Sequence, residues 1–229
     1  MTVFNSFAAQ YDAWYDNEGK LTFEIEVKAF HNVIPLLPKP WLEIGVGSGR
    51  FAQALGIETG IDPSAGLLEM AVGRGIKGYL GIGEDMPFAV GSFGTAFLIV
   101  TLCFVDRPAE VLREVHRILE AKGRLVLGTV LRESPWGRYY LKKKAEGHRF
   151  YKNAHFLSYE ELVEMLQQSN FTIDKTISTL FQEPGEVNEM ESPREHYLPD
   201  AGFTIVVAKK SPRWGQGGAV TLTVIERET

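Results

Sequence analysis

The sequence predicts an α/β domain with a doubly wound, mostly parallel seven-stranded sheet and helices on both faces. Three observations support this fold class. Short apolar runs alternate with helical patterns, the run at residues 95–100 has no polar alternation, and a cluster of glycines follows the first apolar run. Strand–helix alternation is typical of parallel sheets, and a strand without alternation is typical of one that helices cover on both faces. We therefore expect a single domain over residues 1–210.

The individual elements follow from local patterns along the chain. Strands are predicted over residues 41–46, 57–62, 77–80, 95–100, 125–127, 171–180 and 203–208, and helices over 51–55, 64–73, 108–123 and 160–169. Pro108 suits the first turn of its helix, where its missing N–H needs no partner, and Gly123 is expected to end that helix. Ser158 with Glu161 three positions later predicts a capping box at the start of the last helix.

Two segments and a tail do not fit this alternation. Residues 131–157 are too long for a plain connection and are rich in aromatic and basic side chains, and residues 182–199 hold three prolines. Because long insertions in compact domains are often lids or binding loops, we expect a lid-like insertion at about 131–157. The tail, residues 211–229, contains an alternating run at 220–224 that is typical of an edge strand, and it has no assigned role.

Composition excludes several classes of function. The 24 basic and 29 acidic residues give a net charge of −5, which argues against a protein built to neutralise nucleic-acid phosphates. Cys103 is the one cysteine, so the chain can form no intramolecular disulfide and no multi-cysteine metal site, and no metal is predicted. Without a secretory signal pattern or an apolar run of about 20 residues, we expect a cytoplasmic protein with no membrane span.

The strongest chemical signal is the glycine loop, residues 45–49, which holds Gly45, Gly47 and Gly49 after the first predicted strand. Glycine lets a backbone turn sharply or approach a ligand closely, and ligands of parallel sheets bind beyond the carboxyl ends of strands. A plain tight turn is the alternative. A dinucleotide-binding loop would carry glycine or alanine where Arg50 stands, so Arg50 weighs against an NAD-dependent oxidoreductase. A P-loop is excluded, because no lysine followed by serine or threonine ends the loop.

A second signal is Asp62, which ends the second predicted strand 19 residues after Glu43. A carboxylate at this place can accept two hydrogen bonds from the hydroxyls of a ribose. Asp-Pro-Ser is also a good helix start, so Asp62 could equally cap the next helix. The two roles are compatible and both stay open.

Four motifs, taken in order, resemble the class I S-adenosylmethionine-dependent methyltransferases. They are Glu-x-Gly-x-Gly-x-Gly from Glu43, then residues 60–64, 83–88 and 119–127. The resemblance is strongest to the small-molecule branch that includes the ubiquinone and menaquinone methyltransferases, and residues 100–106 and 134–138 resemble a bacterial and archaeal subgroup of it. It implies a Rossmann-like methyltransferase fold and methyl transfer from S-adenosyl-L-methionine, leaving S-adenosyl-L-homocysteine, to a small-molecule acceptor.

The resemblance also implies roles for single residues. The glycine loop would pass beneath the methionine part of the cofactor, Glu43 would face its ammonium group, Asp62 would hold the ribose, and Gly83 would meet the adenine. The implied cofactor-binding residues are Glu43, Gly45, Gly47, Gly49, Asp62, Pro63, Gly83, Glu84, Thr101, Tyr11 and Trp14. Many relatives carry an acid where Ile82 stands, so the backbone of Gly83 or the side chain of Glu84 would have to replace that acid.

The resemblance further implies an N-terminal cover helix at about residues 4–30. Tyr11 and Trp14 would then cover the sulfonium, because aromatic faces suit a cation. Aromatic residues at this helical spacing could also serve only to attach an amphipathic helix to the domain, and the two roles are compatible.

Methyl transfer from a sulfonium is an in-line displacement in which positioning supplies much of the rate. A general base helps only where the acceptor must lose a proton, and His148, His155 and Tyr139 are the candidates for this role. A non-catalytic S-adenosylmethionine-binding protein is an alternative that would keep residues 45–62 without an acceptor pocket. An RNA or protein methyltransferase is disfavoured by the net charge.

Overall fold

The computed structural model describes residues 3–211, so the alternating run predicted at 220–224 lies outside the described part. The strands are β1 (Trp41–Ile44), β2 (Thr59–Asp62), β3 (Lys77–Leu80), β4 (Phe93–Ile99), β5 (Leu119–Thr129), β6 (Phe171–Thr179), β7 (Arg194–Glu195) and β8 (Phe203–Lys210). The helices are α1 (Val3–Ser6), α2 (Ala8–Trp14), α3 (Lys20–Phe30), α4 (Arg50–Leu55), α5 (Ala65–Gly73), α6 (Pro108–Ile118), α7 (Pro135–Ala145) and α8 (Tyr159–Gln168).

One sheet runs through the domain in the order β3-β2-β1-β4-β5-β8-β6-β7. The first five strands of this order are parallel, whereas β8 is antiparallel to β5 and β6. The predicted doubly wound, mostly parallel α/β fold is therefore confirmed, but the predicted count of seven strands is wrong. The eighth strand, β7, pairs with β6 over two residues, which is too short a segment to show periodicity in the sequence.

The core lies in two layers, one on each face of the sheet. Alternate residues of a strand point to opposite faces, so Leu98 of β4 belongs to the layer under α6 and α8, while Phe97 belongs to the layer under α3, α4 and α5. Both side chains are at most 1% exposed. This two-sided burial explains why the run at residues 95–100 has no polar alternation.

The helix predicted to reach Gly123 ends earlier, at Ile118. Leu119 is extended, with a ψ of 141°, and it pairs with Phe93 of β4, so it begins β5. Leu119 is also the last apolar residue at helical spacing, so the sequence alone would place it in the helix. Its side chain is fully buried. Pairing with β4 therefore decides the boundary, and Gly123 lies inside β5.

Three short helices, α1, α2 and α3, occupy the range predicted for one cover helix at about residues 4–30. The break between α2 and α3 falls at Gly19, where a methyl group would lie 2.3 Å from the ring of Trp14. The close approach of Trp14 thus explains why the chain turns at a glycine. Within residues 3–211, no helix has the length and apolar character needed to cross a membrane.

The two irregular segments contact each other. The lid-like insertion contains α7, whose N-cap Ser134 accepts a hydrogen bond from the backbone N–H of Gly137 at 2.9 Å. The indole N–H of Trp136 then donates to the carbonyl of Gln182 in the second segment at 2.8 Å. This bond joins α7 to the segment between β6 and β8, beside the carboxyl ends of β4 and β5.

Candidate active site

The glycine loop follows β1 directly and leads into α4, with positive φ angles at Gly45, Gly47 and Gly49. A methyl group on Gly45 would lie 2.4 Å from Cγ2 of Thr101, so this glycine is required by close packing. Gly47 differs: in the described part of the chain, beyond its two sequence neighbours, a methyl group there would meet only Cε1 of Tyr11, at 4.0 Å. The loop is therefore open to a ligand at Gly47, with Tyr11 beside the opening.

Asp62 holds this loop from the end of β2. Its Oδ2 accepts a hydrogen bond from the N–H of Gly47 at 2.9 Å, and its Oδ1 accepts from the N–H of Ser64 at 2.8 Å. Burial raises the pKa of the Asp62 carboxyl, and these two backbone bonds act in the opposite direction. The helix cap considered for Asp62 is instead Ser64, whose Oγ accepts from the N–H of Leu67.

Glu43 lies in β1 directly below the loop and is 2% exposed. Its Oε2 has no hydrogen-bond partner among the described residues. Burial and the neighbouring charge of Asp62 raise the pKa of the Glu43 carboxyl well above its ordinary value. Two acidic groups thus meet beside the loop, and one oxygen atom is left to bind a donor.

The predicted adenine-side residues follow β2 and β3 at the same edge of the sheet. Pro63 and Ile82 are exposed, Glu84 is half-buried and Gly83 is buried. A methyl group on Gly83 would lie 3.0 Å from Cγ2 of Ile44 and 3.2 Å from Cγ1 of Val111. Gly83 therefore brings the chain close to the end of β1, which places its backbone on the loop side.

A cavity of about 830 Å³, called the aromatic cavity below, lies between α2, α3 and the lid-like insertion. Val100 and Val130, which follow β4 and β5, form its floor at the carboxyl edge of the sheet. Its aromatic wall includes Tyr11, Trp14, Tyr15, Tyr139, Tyr140 and Tyr151. Because Tyr11 borders both this cavity and the opening at Gly47, the two spaces adjoin.

Burial keeps the phenols of Tyr11, Tyr15 and Tyr140 neutral. The hydroxyls of Tyr11 and Tyr15 are hydrogen-bonded at 3.0 Å. Burial raises the pKa of Tyr11 to about 12 and that of Tyr15 and Tyr140 well above the ordinary value. Burial likewise raises the pKa of the Cys103 thiol to about 12, so Cys103 is a wall residue and not a thiolate nucleophile.

The structure separates the predicted catalytic candidates. His148 and Tyr139 line the aromatic cavity, and Nδ1 of His148 is buried without a hydrogen-bond partner among the described residues. Burial and the charges of Lys143 and Arg149 lower the pKa of His148. His155 is exposed and borders a different, smaller pocket of about 150 Å³, so it does not join the other two.

A buried ion cluster between α2, α4 and α5 was missed by the sequence analysis. Asp12 accepts a bidentate pair of hydrogen bonds from Arg50, at 2.9 and 2.7 Å, and a third from Arg74 at 2.8 Å. Arg74 also donates to the carbonyl of Ser48 in the loop at 2.6 Å. Burial acts to raise the pKa of Asp12, but the hydrogen bonds from Arg50, Ser48 and Arg74 outweigh it and hold the pKa well below its ordinary value.

Glu26 of α3 was also missed. It is 6% exposed and lines the aromatic cavity one helical turn after Thr22. The available signal was a glutamate on a mostly apolar helix face, with Ile25, Ala29 and Phe30 as neighbours. A single charged residue in such a face is too common a pattern to indicate a cavity by itself.

Comparison with known proteins identifies the family. A family model described as a methyltransferase domain matches residues 42–127, from β1 to β5. A solved structure from Thermotoga maritima, described as a SAM-dependent methyltransferase and a possible histamine N-methyltransferase, is 38% identical, covers 91% of this chain and 99% of its own, and superposes with a TM-score of 0.85.

The chain belongs to the S-adenosylmethionine-dependent methyltransferases.

This methyltransferase is also similar in sequence to two further proteins. An uncharacterised protein of Mycobacterium tuberculosis is 39% identical over 203 residues, which are 88% of this chain and 71% of that protein. A demethylmenaquinone methyltransferase of Thermotoga maritima is 26% identical over 208 residues, with 76% of this chain and 88% of that protein covered. The predicted family resemblance is confirmed, and the NAD-dependent and non-catalytic alternatives are set aside in favour of a methyltransferase.

The residues of the methyltransferase fit its cofactor, S-adenosylmethionine. The loop is open to a ligand at Gly47, and the unpartnered Oε2 of Glu43 is a buried acceptor that suits an ammonium group. The carboxyl edge of the sheet is where parallel α/β folds bind ligands. These features belong to one side of the domain, and the aromatic cavity adjoins them.

Proposed function

We propose that this methyltransferase moves a methyl group to a small molecule held in the aromatic cavity. The observation that supports this best is the position of Tyr11, which borders both the opening at Gly47 and the cavity. A methyl donor at the loop and an acceptor in the cavity would then be neighbours. A volume of about 830 Å³ falls in the range of sites for small ligands, about 300–1,000 Å³.

We assign the cofactor contacts to the residues around the loop. Glu43 would accept from the ammonium group, Asp62 would hold the ribose hydroxyls, and Pro63, Gly83 and Glu84 would border the adenine. Thr101 packs against Gly45 and would fix the loop beneath the methionine part. When bound, the cofactor supplies a methyl group on a positively charged sulfur, which is already activated toward a nucleophile.

The protein's own contribution is to position the acceptor and to exclude water. The Asp12–Arg50 pair fastens α2, which carries Tyr11 and Trp14, over the loop. Holding reactants in line can supply up to about 7–11 kcal/mol of a barrier in favourable cases. Because α2, α3 and α7 surround the cavity, the acceptor would meet the methyl group away from bulk solvent.

Two relatives agree with a small acceptor: one is described as a possible histamine N-methyltransferase and another as a demethylmenaquinone methyltransferase. The described part of the chain consists of one sheet and its flanking helices, with a net charge of −5 for the whole chain, which disfavours a polyanionic nucleic acid. The expectation of a cytoplasmic enzyme stays a prediction.

Thermal unfolding with S-adenosylmethionine, S-adenosylhomocysteine or NAD tests the cofactor assignment first. A ligand at about 100 times its Kd adds about 2.7 kcal/mol to the free energy of unfolding, which is several degrees of midpoint shift at this size. We expect a shift with the two sulfur compounds and none with NAD. A shift with NAD alone would refute the assignment.

Transfer of a labelled methyl group to a small-molecule panel, to tRNA and to protein then tests the acceptor class. We expect label only in the small-molecule fraction. Label in the tRNA or protein fraction alone would contradict a small acceptor while leaving the cofactor assignment intact.

A further inference from the structure

Glu26 is a buried acid that no residue of the described part neutralises. It is 6% exposed on α3 and borders the aromatic cavity. Residues 3–211 provide neither a hydrogen bond nor an ion pair to its carboxyl group, and burial alone raises its pKa to about 8. A buried carboxyl group without a protein partner is costly, and its place on a cavity wall lets a bound ligand provide one.

Glu26 is the buried carboxylic acid of the cavity wall, and the other titratable groups that line the cavity are of different kinds. The phenols of Tyr11, Tyr15, Tyr140 and Tyr151 have raised pKa values and stay neutral, as does the Cys103 thiol. Across from α3, His148 has a lowered pKa, and Lys143 of α7 lies with its Nζ 5.0 Å from the ring centre of Tyr139. Glu18 is exposed at the rim.

This arrangement selects the chemistry of the acceptor. Aromatic faces and a carboxylate both attract a cation, so a cationic ligand favours ionisation of Glu26, whereas a carboxylate or phosphate on the acceptor would keep Glu26 protonated and gain no ion pair from it. An alcohol would present neither the charge nor a proton acidic enough for a carboxylate to remove. A ligand with a protonated basic nitrogen can contact the aromatic faces of the cavity wall and form an ion pair with the Glu26 carboxylate.

We propose that the acceptor carries a basic nitrogen, and that Glu26 binds this nitrogen and removes the proton that blocks its lone pair. The proposal rests on the proposed function, because it names the acceptor class of the same cavity. Both amines and imidazole-type bases fit, since each offers a nitrogen that is protonated in water and nucleophilic when neutral.

The proton and electron balance closes over one cycle. Glu26 starts protonated and loses its proton to solvent as the protonated nitrogen binds. The carboxylate then takes one N–H proton, which frees the nitrogen lone pair. That pair forms the bond to the methyl carbon while the sulfur–carbon bond breaks with its electrons left on sulfur. The methylated nitrogen leaves as a cation and Glu26 is again protonated, so the cycle releases one proton overall. A carboxyl group with a pKa near the working pH suits this exchange.

Glu26→Gln keeps the size of the side chain and removes the proton exchange. Glu24→Gln is the matched control, because Glu24 lies on the same helix, is exposed and is not part of the cavity wall. Calorimetry with S-adenosylhomocysteine should give unchanged affinity for the wild type and both variants. This affinity measurement separates the two proposals, because failure of the wild type to bind S-adenosylhomocysteine would reject the proposed function.

The ligands are benzylamine, 2-phenylethylamine, tryptamine and histamine, with 2-phenylethanol and phenylacetate as neutral and anionic analogues. With S-adenosylhomocysteine present, we expect amines alone to bind the wild type, with at least about a tenfold loss in Glu26→Gln. Titration in two buffers of different ionisation enthalpy should show one proton released on amine binding to the wild type and none for Glu26→Gln. Equal affinity for 2-phenylethanol, no binding by any amine, or proton release that survives in Glu26→Gln would overturn the proposal.

Discussion

Asp12 and Arg50 lie 38 positions apart in the chain and form a bidentate ion pair at 2.9 and 2.7 Å. Arg50 follows the glycine loop, and Asp12 lies in the helix that carries Tyr11 and Trp14. The arginine that argues against a dinucleotide loop thus has a structural reason of its own. It joins the first helices to the cofactor side of the sheet.

Asp12→Asn is expected to lower the free energy of unfolding by about 2–4 kcal/mol, because it removes the carboxylate that pairs with the largely buried Arg74 and leaves Arg50 with the exposed Asp16. Asp16→Asn is the control: Asp16 also contacts Arg50, but its side chain is 63% exposed, and solvent weakens an exposed ion pair, so the loss should be much smaller. Urea unfolding measures both. Equal losses in the two variants would contradict the importance of the buried pair.

Gly47→Ala should weaken binding of S-adenosylhomocysteine at least tenfold. Its methyl group would enter the open space beside Tyr11, where we place the cofactor. Gly56→Ala provides a matched control, since Gly56 also has a positive φ, of 73°, and no described residue beyond its two sequence neighbours comes within 4 Å of the added methyl group. Both variants should lose about 1–2 kcal/mol of stability from left-handed strain, but only Gly47→Ala should lose ligand affinity by calorimetry. Similar affinities for the two would move the cofactor away from Gly47.

Asp62→Ala should reduce affinity for S-adenosylhomocysteine by on the order of 1.5–3 kcal/mol, the range for hydrogen bonds to a charged group. The same change removes the acceptor for the N–H groups of Gly47 and Ser64, so the loop itself should also lose order. Binding of adenosine separates the two effects, because adenosine carries the ribose without the methionine part. Unchanged affinity for both ligands would remove the ribose role of Asp62.

Glu26→Gln should flatten the dependence of stability on pH. The pKa of Glu26 is raised from 4.5 to about 8 in the folded state, so the folded protein binds a proton that the unfolded chain has lost. Stability therefore falls as pH rises from about 4.5 to 8, by up to roughly 5 kcal/mol for this group. The difference between wild type and Glu26→Gln across this window isolates Glu26, because Glu43 and Asp62 are common to both. Parallel curves would mean that Glu26 is not protonated in the folded state.

His148→Asn should raise the KM for the acceptor, because His148 lines the aromatic cavity. His155→Asn should leave turnover near the wild-type value, since His155 is exposed and borders a separate pocket. Initial rates over a range of acceptor concentrations distinguish the two. A larger effect at His155 would show that the smaller pocket takes part in the reaction.

Much of the fold could be predicted because its signals are local. The capping box of Ser158 and Glu161 is present with both hydrogen bonds, since those bonds join residues three positions apart. The glycine loop also follows the first strand, and Asp62 ends the second strand, as the apolar runs predicted. By contrast, the end of α6 and the strand β7 depend on pairing with distant residues, Phe93 for Leu119 and Ile177 for Glu195.

The sequence by itself determined the fold class, the family and the residues around the glycine loop, because apolar periodicity and short motifs are properties of neighbouring residues. Only the tertiary structure decided that Asp12 meets Arg50, that His148 faces the aromatic cavity while His155 does not, and that Glu26 is buried without a partner among residues 3–211. Each of these depends on which helix face meets which part of the sheet. Burial and charge then act on groups that are far apart in the chain, so no local pattern carries that information.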